Sequence, residues 1–273
     1  MNVMDVLRTD YLAISPDDTL SRVVGKLGKD HTEAVALDDK GKYVGMLWKR
    51  ALIRSRVDPA ATKVRKFITN PATLVADASL ERVAQLMHNS DFHVLPVLDK
   101  GDRVLGIAGA RDVLDALSAR FAGIKASEVA TNKLITLTET DPTGRAITLF
   151  REKKIDRIPI LDSSGKLAGI VTLMDLISRF HKGTPQGSIS GRGGKHGRTS
   201  KSGNDPGERP DYDKLPVGNI MTKLVVTASP NAKVADVIKL LRDNRISDVI
   251  MVQNDLPVGI VTTKDLLYEV SRT

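Results

Sequence analysis

Hydrophobic positions along the chain alternate between two periods, and the alternation recurs. Toward the C-terminus a strand-like run, Val225-Val226-Thr227, precedes Pro230, and apolar residues then return at helical spacing as Val234, Val237, Ile238 and Leu241. The counterparts upstream are Ile147 and Phe150, and before them Leu80, Val83, Leu86 and Met87. A second strand follows, as in Ile158-Pro159-Ile160-Leu161, then the turn Asp162-Ser163-Ser164-Gly165 and a third strand from Leu167 to Val171. Asp-x-x-Gly between two apolar runs predicts a hairpin, because glycine reaches positive φ without steric cost. A closing helix is predicted through Leu176, Ile177 and Phe180. Each unit therefore reads β-α-β-β-α, an α/β (α+β) pattern.

The third strand of each unit carries a recognisable phrase. It reads Val44-Gly45-Met46-Leu47-Trp48-Lys49-Arg50-Ala51, Leu105-Gly106-Ile107-Ala108-Gly109-Ala110-Arg111-Asp112, Ala168-Gly169-Ile170-Val171-Thr172-Leu173-Met174-Asp175 and Val258-Gly259-Ile260-Val261-Thr262-Thr263-Lys264-Asp265. The first glycines of these phrases lie 61, 63 and 90 residues apart. The long last gap is explained by residues 181–214, which carry eight glycines and almost no apolar side chains, a composition that predicts a flexible insert or linker. The chain is thus expected to divide at 1–57, 58–122, 123–180, the insert 181–214, and 215–273. Units of about 60 residues have marginal cores, so neighbouring copies are expected to pack in pairs.

Composition narrows the chemistry. The chain has 273 residues, 41% of them hydrophobic, and no cysteine, which excludes disulfides, thiolate nucleophiles and sulfur-ligated metal. No signal-peptide core and no membrane-length apolar run is evident, so a soluble cytoplasmic protein is expected. The net charge is +8, of which +3 comes from residues 181–214 and the remainder is thinly spread. With only 4% aromatic residues, few rings are available to stack bases. P-loop, H-E-x-x-H and G-x-S-x-G motifs are absent, and the five histidines form no i,i+4 pair. A non-catalytic protein without a bound metal is the expectation.

The fourfold phrase resembles the cystathionine-β-synthase-type (CBS) domain family, in four tandem copies spanning nearly all of the chain outside the insert. The resemblance implies that copies pair through their sheets into Bateman modules, here residues 1–122 and 123–273. It further implies that two modules associate into a flat disc, within one chain or as a homodimer. The implied ligands are adenine nucleotides (AMP, ADP, ATP) or S-adenosylmethionine, acting as regulatory signals that a protein partner reads.

Thr172 with Asp175, and Thr262 with Asp265, are the sharpest candidates. Thr-x-x-Asp spans a strand end and the first helical turn. There the carboxylate can accept hydrogen bonds from ribose hydroxyls, while the hydroxyl and free backbone N–H groups can meet a phosphate. The same spacing is also that of a helix-capping box, which needs no ligand. The resemblance adds Thr136 and Thr227 as nucleoside contacts. It assigns Ile155, Arg157, Ile158 and Pro159, and Ile246, Ser247 and Val249, to the adenine pocket. The apolar residues among these also suit an ordinary core, and Arg157 suits either a phosphate or solvent. The first two copies depart from the pattern. Copy one has Trp48 and Ala51 where Thr and Asp are expected; copy two has Gly109 for Thr but keeps Asp112, with Thr73 upstream and His93 beside the strand. Arg50 and Arg111 remain as cations at these two positions. The second module is expected to be the main sensor, copy two weak or altered, and copy one structural. The alternative is a ligand-free scaffold whose basic insert engages a protein or nucleic acid.

Overall fold

The computed structural model describes residues 1–24, 26–27, 33–48, 60–90, 92–153, 155–172, 175–176 and 212–272. The expected insert lies outside them as far as residue 211, as do Ile177 and Phe180 of the expected closing helix and Arg50 and Ala51 of the first copy. The described residues form two compact units. One comprises residues 1–133, 226–253 and 258–273, and the other residues 134–225 and 254–257.

Each repeat builds the same small sheet, a hairpin with one short parallel strand beside it. The strands are β1 (Leu12–Ile14), β2 (Glu33–Leu37) and β3 (Tyr43–Trp48) in repeat one, and β5 (Leu74–Val75), β6 (Val94–Leu98) and β7 (Val104–Gly109) in repeat two. Repeat three contributes β8 (Leu137–Thr138), β9 (Arg157–Leu161) and β10 (Leu167–Thr172); repeat four contributes β11 (Thr227–Ala228), β12 (Asp248–Gln253) and β13 (Leu256–Thr262). A further strand, β4 (Ile68–Thr69), joins the first sheet from the segment that leads into repeat two. The helices are α1 (Leu20–Val24), α2 (Leu80–Ser90), α3 (Ala110–Ala116), α4 (Ala126–Val129), α5 (Thr143–Glu152), α6 (Val234–Asp243) and α7 (Thr263–Ser271). Crossover helices α2, α5 and α6 bury the residues the 3.6-residue period selects, such as Leu80, Val83 and Met87, or Val234, Val237, Ile238 and Leu241.

The predicted turn chemistry is present. Asp162 Oδ1 accepts hydrogen bonds from the Ser164 N–H at 2.8 Å, the Ser164 hydroxyl at 2.7 Å and the Lys166 N–H at 2.9 Å, while Gly165 takes φ +80°. The Ser164 hydroxyl, then the Lys166 N–H, hold this carboxyl below its ordinary range.

In the first unit, repeats one and two meet through their sheets. Val35 and Met46 pack on Val94 and Ile107, with Tyr11, Tyr43, Trp48 and Val104 around them. The hairpin tips also touch: the Tyr43 N–H donates to Asp102 O at 2.9 Å, and Lys42 pairs with Asp102 at 3.4 Å. Burial among these residues pushes the Tyr43 hydroxyl up to about 12. Repeats two and four meet differently, through helices. Helices α2 and α7, and α3 and α6, close over one continuous core that includes Leu80, Met87, Leu114, Val237, Leu241 and Leu266. Each such fully buried side chain contributes about 1.5–3 kcal/mol, so this shared core is the largest apolar investment of the unit. In the second unit Leu137, Ala146, Phe150, Ile158, Ile160 and Val171 form the core of repeat three, closed by Val217 and Ile220.

The recurrent glycines explain how the repeats interlock. A short segment leads into each repeat and begins with a fully buried residue: Val3, Val64, Ala126 and Val217. Five positions on, each segment lies antiparallel on the hairpin of another repeat. Arg8 pairs with Ile107, Thr69 with Met46, Thr131 with Ile260 and Thr222 with Ile170. Backbone hydrogen bonds of 2.8–3.1 Å join Arg8 to Ile107, Thr131 to Ile260 and Thr222 to Ile170 in both directions. A Cβ on Gly106 would sit 2.5 Å from Arg8 O, one on Gly169 2.9 Å from Thr222 O, and one on Gly45 2.8 Å from Thr69 O. In these three repeats the glycine is therefore needed for a backbone-to-backbone approach, whereas a Cβ on Gly259 would meet Thr131 O at an ordinary 3.4 Å. Lead-in segments are exchanged between repeats one and two, the fourth hairpin receives the segment leading into repeat three, and the third receives the segment leading into repeat four.

Substituting Gly106→Ala is expected to cost about 1–3 kcal/mol, because the obstructing atom is a backbone oxygen. Gly123→Ala meets nothing within 4 Å and bears only the strain of its φ of +85°. Thermal unfolding of the two variants should show the larger loss for Gly106→Ala; equal losses would remove the packing explanation.

Candidate functional site

In repeat four, β13 ends at Thr262 and α7 begins at Thr263, with Thr262 extended at φ −110°, ψ 157°. Asp265 Oδ2 accepts from the Thr262 N–H at 2.8 Å and from the Thr262 hydroxyl at 2.7 Å, while Thr262 Oγ1 accepts from the Asp265 N–H at 3.2 Å. Repeat three repeats the arrangement, with Thr172 N–H and hydroxyl to Asp175 Oδ2 at 2.8 and 2.7 Å and Asp175 N–H to Thr172 Oγ1 at 3.2 Å. The capping box is therefore complete in both. It uses only the Oδ2 oxygen of each carboxylate, and its residues are only half-buried.

Of the other candidates, Arg157 and Ser247 are set against these boxes. Arg157 stands directly opposite Thr172 in the β9–β10 ladder. Thr136 immediately precedes β8, whose Leu137 is paired with Ile160 next to Pro159. In repeat four the Thr263 N–H and hydroxyl both donate to Ser247 O, at 2.9 and 3.0 Å, which fixes Ser247 against the first turn of α7. Thr227 pairs with Ile250 at the sheet edge and is exposed. Ile158 and Val249 are different, being 0% exposed and spent in the cores of their units. Ile155 and Ile246 are partly buried against the same two cores, and Pro159 is buried.

The first two repeats depart from this geometry. Gly109 caps α3 with no side-chain hydrogen bond, and the carboxylate of Asp112 has moved inward: a Cβ at residue 109 would lie 2.6 Å from Asp112 Oδ2. Burial pushes the Asp112 carboxyl up, against the lowering influence of Arg8 and Arg111. Burial likewise lowers the Arg111 guanidinium. Thr73, just before β5, is exposed. His93 offers its carbonyl oxygen to the Ala110 N–H at 2.8 Å, the counterpart of Ser247. In repeat one Trp48 stacks on Phe92 with ring centroids 4.7 Å apart, and its Nε1–H is buried without a hydrogen-bond partner. No group of three metal-ligating side chains occurs among the described residues, and none of their helices is long and apolar enough to cross a membrane.

The CBS domain family matches the chain four times, at residues 3–57, 64–119, 126–182 and 217–272. The chain belongs to the CBS-domain family. Over 98% of its length this CBS protein superposes on protein MJ1225 of Methanocaldococcus jannaschii, described as an archaeal homologue of γ-AMPK, with a TM-score of 0.75 at 18% identity and 99% of that chain covered. An uncharacterized conserved protein of Pyrococcus horikoshii gives a TM-score of 0.66 at 19% identity, covering 99% of this chain and all of that one. These likenesses establish the fold. Among curated sequences, uncharacterized protein MJ1404 of Methanocaldococcus jannaschii is 24% identical across 97% of this chain, which spans 61% of MJ1404. An uncharacterized 33.4 kDa protein from the ribosomal RNA operon of Thermofilum pendens is 25% identical, with 98% and 91% covered. Inosine-5'-monophosphate dehydrogenase of Aquifex aeolicus is 27% identical over 54% of this chain but only 30% of the enzyme.

The motif phrases do not contain the lead-in residues Arg8, Thr69, Thr131 and Thr222, although each falls two ladder positions from the cap of the hairpin it crosses. Their signal was available: in all four segments the residue lies five positions after the buried Val3, Val64, Ala126 or Val217.

Because the folded-state carboxyl of Asp112 is raised, its charged form opposes folding at neutral pH and its neutral form does not. Asp112→Asn is therefore expected to raise the melting temperature at pH 7. The gain should shrink as pH falls through the raised carboxyl value, where the native residue is itself neutral. Melting curves from pH 3 to pH 7 check this, and a gain that grows on acidification contradicts it.

Proposed function

We propose that this CBS protein is a non-catalytic regulator that binds an adenosine compound, an adenine nucleotide or S-adenosylmethionine, at the helix mouths of repeats three and four. The observation that carries the reading is the duplicated Thr–Asp arrangement, in which a half-buried carboxylate is oriented at a strand-to-helix junction. This carboxylate is where a ribose hydroxyl would donate. Thr136 and Arg157 in repeat three, and Thr227 and Ser247 in repeat four, complete the two mouths, and Ile155, Pro159 and Ile246 line them. Thr73 and Asp112 form the altered counterpart in repeat two. The domain division at 57, 122, 180 and 214 and the pairing of repeats three and four belong to this proposal. The exchange of lead-in segments supports that pairing, as does the Leu167 N–H donating to Asp255 O at 3.0 Å, in the second unit, beside the Lys166–Asp255 ion pair. A ligand acts on such an assembly only through its differential affinity for two arrangements of the repeats, and a protein partner would read the change.

The completed capping boxes favour a second reading, a scaffold in which Thr172, Asp175, Thr262 and Asp265 serve only helix starts. Calorimetric titration with AMP, ATP and S-adenosylmethionine separates the two. If each carboxylate makes charge-assisted hydrogen bonds of about 1.5–3 kcal/mol, Asp175→Ala and Asp265→Ala should each weaken one site roughly tenfold to a hundredfold. Unchanged binding combined with a lower melting temperature would establish the scaffold instead.

A further inference from the structure

Each mouth is framed by two side chains that the sheet register brings to one face: the cap residue at the end of the hairpin, and the lead-in residue that crosses the hairpin two positions earlier. Residues directly opposite in an antiparallel ladder project to the same side, and positions i and i+2 share a face. Repeat three combines Thr172 with Thr222, and repeat four combines Thr262 with Thr131. Repeat one combines Trp48 with Thr69. Repeat two alone inverts the sizes, combining Gly109 with Arg8.

The inversion has a geometric consequence. Arg8 is paired through Nε with Asp10 Oδ1 at 3.3 Å, which leaves its NH1 directed to the cap, 4.0 Å from the point a Cβ of residue 109 would occupy. From the other side Asp112 Oδ2 approaches the same point to 2.6 Å. The point where a threonine Cβ stands in repeats three and four is thus obstructed by a carboxylate belonging to the protein, with the Arg8 guanidinium at ordinary contact distance beside it.

We propose that Arg8 and Gly109 are the specificity-determining pair that closes the mouth of repeat two to adenosine compounds. The missing Cβ admits the carboxylate, the arginine stands in contact beside it where the further atoms of a threonine would extend, and together they occupy the place of ribose. The inference rests on the adenosine reading for its ligand, although the steric coupling between residues 8 and 109 does not.

Two measurements test it. In calorimetry with AMP, ATP and S-adenosylmethionine, the wild type is expected to bind two equivalents and Arg8→Thr/Gly109→Thr three, because a Thr–Asp box is restored. A wild type that already fills three sites, one of them lost in Arg8→Ala, would make Arg8 a ligand contact and overturn the proposal, as would a double variant that stays at two. The second measurement is a double-mutant melting cycle without ligand. Gly109→Thr is expected to melt roughly 2–4 °C lower, relative to its parent, when Arg8 is present than in the Arg8→Thr background. Additive shifts would overturn the coupling. Failure of the wild type to bind any of the three compounds would refute the adenosine reading, and the melting cycle would still decide whether Arg8 and Asp112 claim the space at Gly109.

Discussion

The interlocking of repeats in this structure depends, at three of its four crossings, on a close approach between two backbones at a residue with no side chain. At Gly106, Gly169 and Gly45 the carbonyl oxygen of the crossing segment lies 2.5–2.9 Å from where a Cβ would be, closer than a side chain tolerates. That approach lets a lead-in segment form its two hydrogen bonds with a foreign hairpin. The buried residue at the head of each segment, such as Val3 or Val217 at 0% exposure, then anchors the segment to a core. Hydrogen bonding, steric permission and apolar burial act at one place. Every hairpin is crossed by a segment that leads into another repeat.

This constraint also sets the geometry of the candidate sites. Because the lead-in strand crosses two positions before the hairpin ends, its side chain shares a face with the residue that caps the following helix. The result is a two-residue frame at every mouth, one residue local in sequence and one distant. Variation in the frame separates the four copies. Two are matched threonines, one carries an indole stacked on Phe92, and one exchanges a side chain at the cap for a cation at the crossing.

Much of this was legible in the sequence because the relevant interactions are local. The Asp162 turn and the Thr–Asp boxes join residues two to four positions apart, and their patterns appear directly in the chain. The helical period likewise marked Leu80, Val83 and Met87 as buried. It did not reveal that their helix shares a core with the helices of repeat four, since an amphipathic stripe specifies burial and not the identity of the covering surface. Ile158 and Val249 suited both pocket and core, and their complete burial places their side chains in the core. Arg8 was invisible as a site residue for a different reason. Its partner at Gly109 is a hundred positions away, and the link exists only because the lead-in segments are exchanged.

The exchange has one more consequence, for chain length. The Ile170–Thr222 crossing in the second unit closes a loop that contains the whole glycine-rich stretch. Loop-closure entropy grows only with the logarithm of length, so each doubling costs about 0.6 kcal/mol. A gene can therefore enlarge this connection by dozens of codons at a thermodynamic cost smaller than that of one misplaced methyl group, whereas a single added carbon at Gly169 would block the crossing itself.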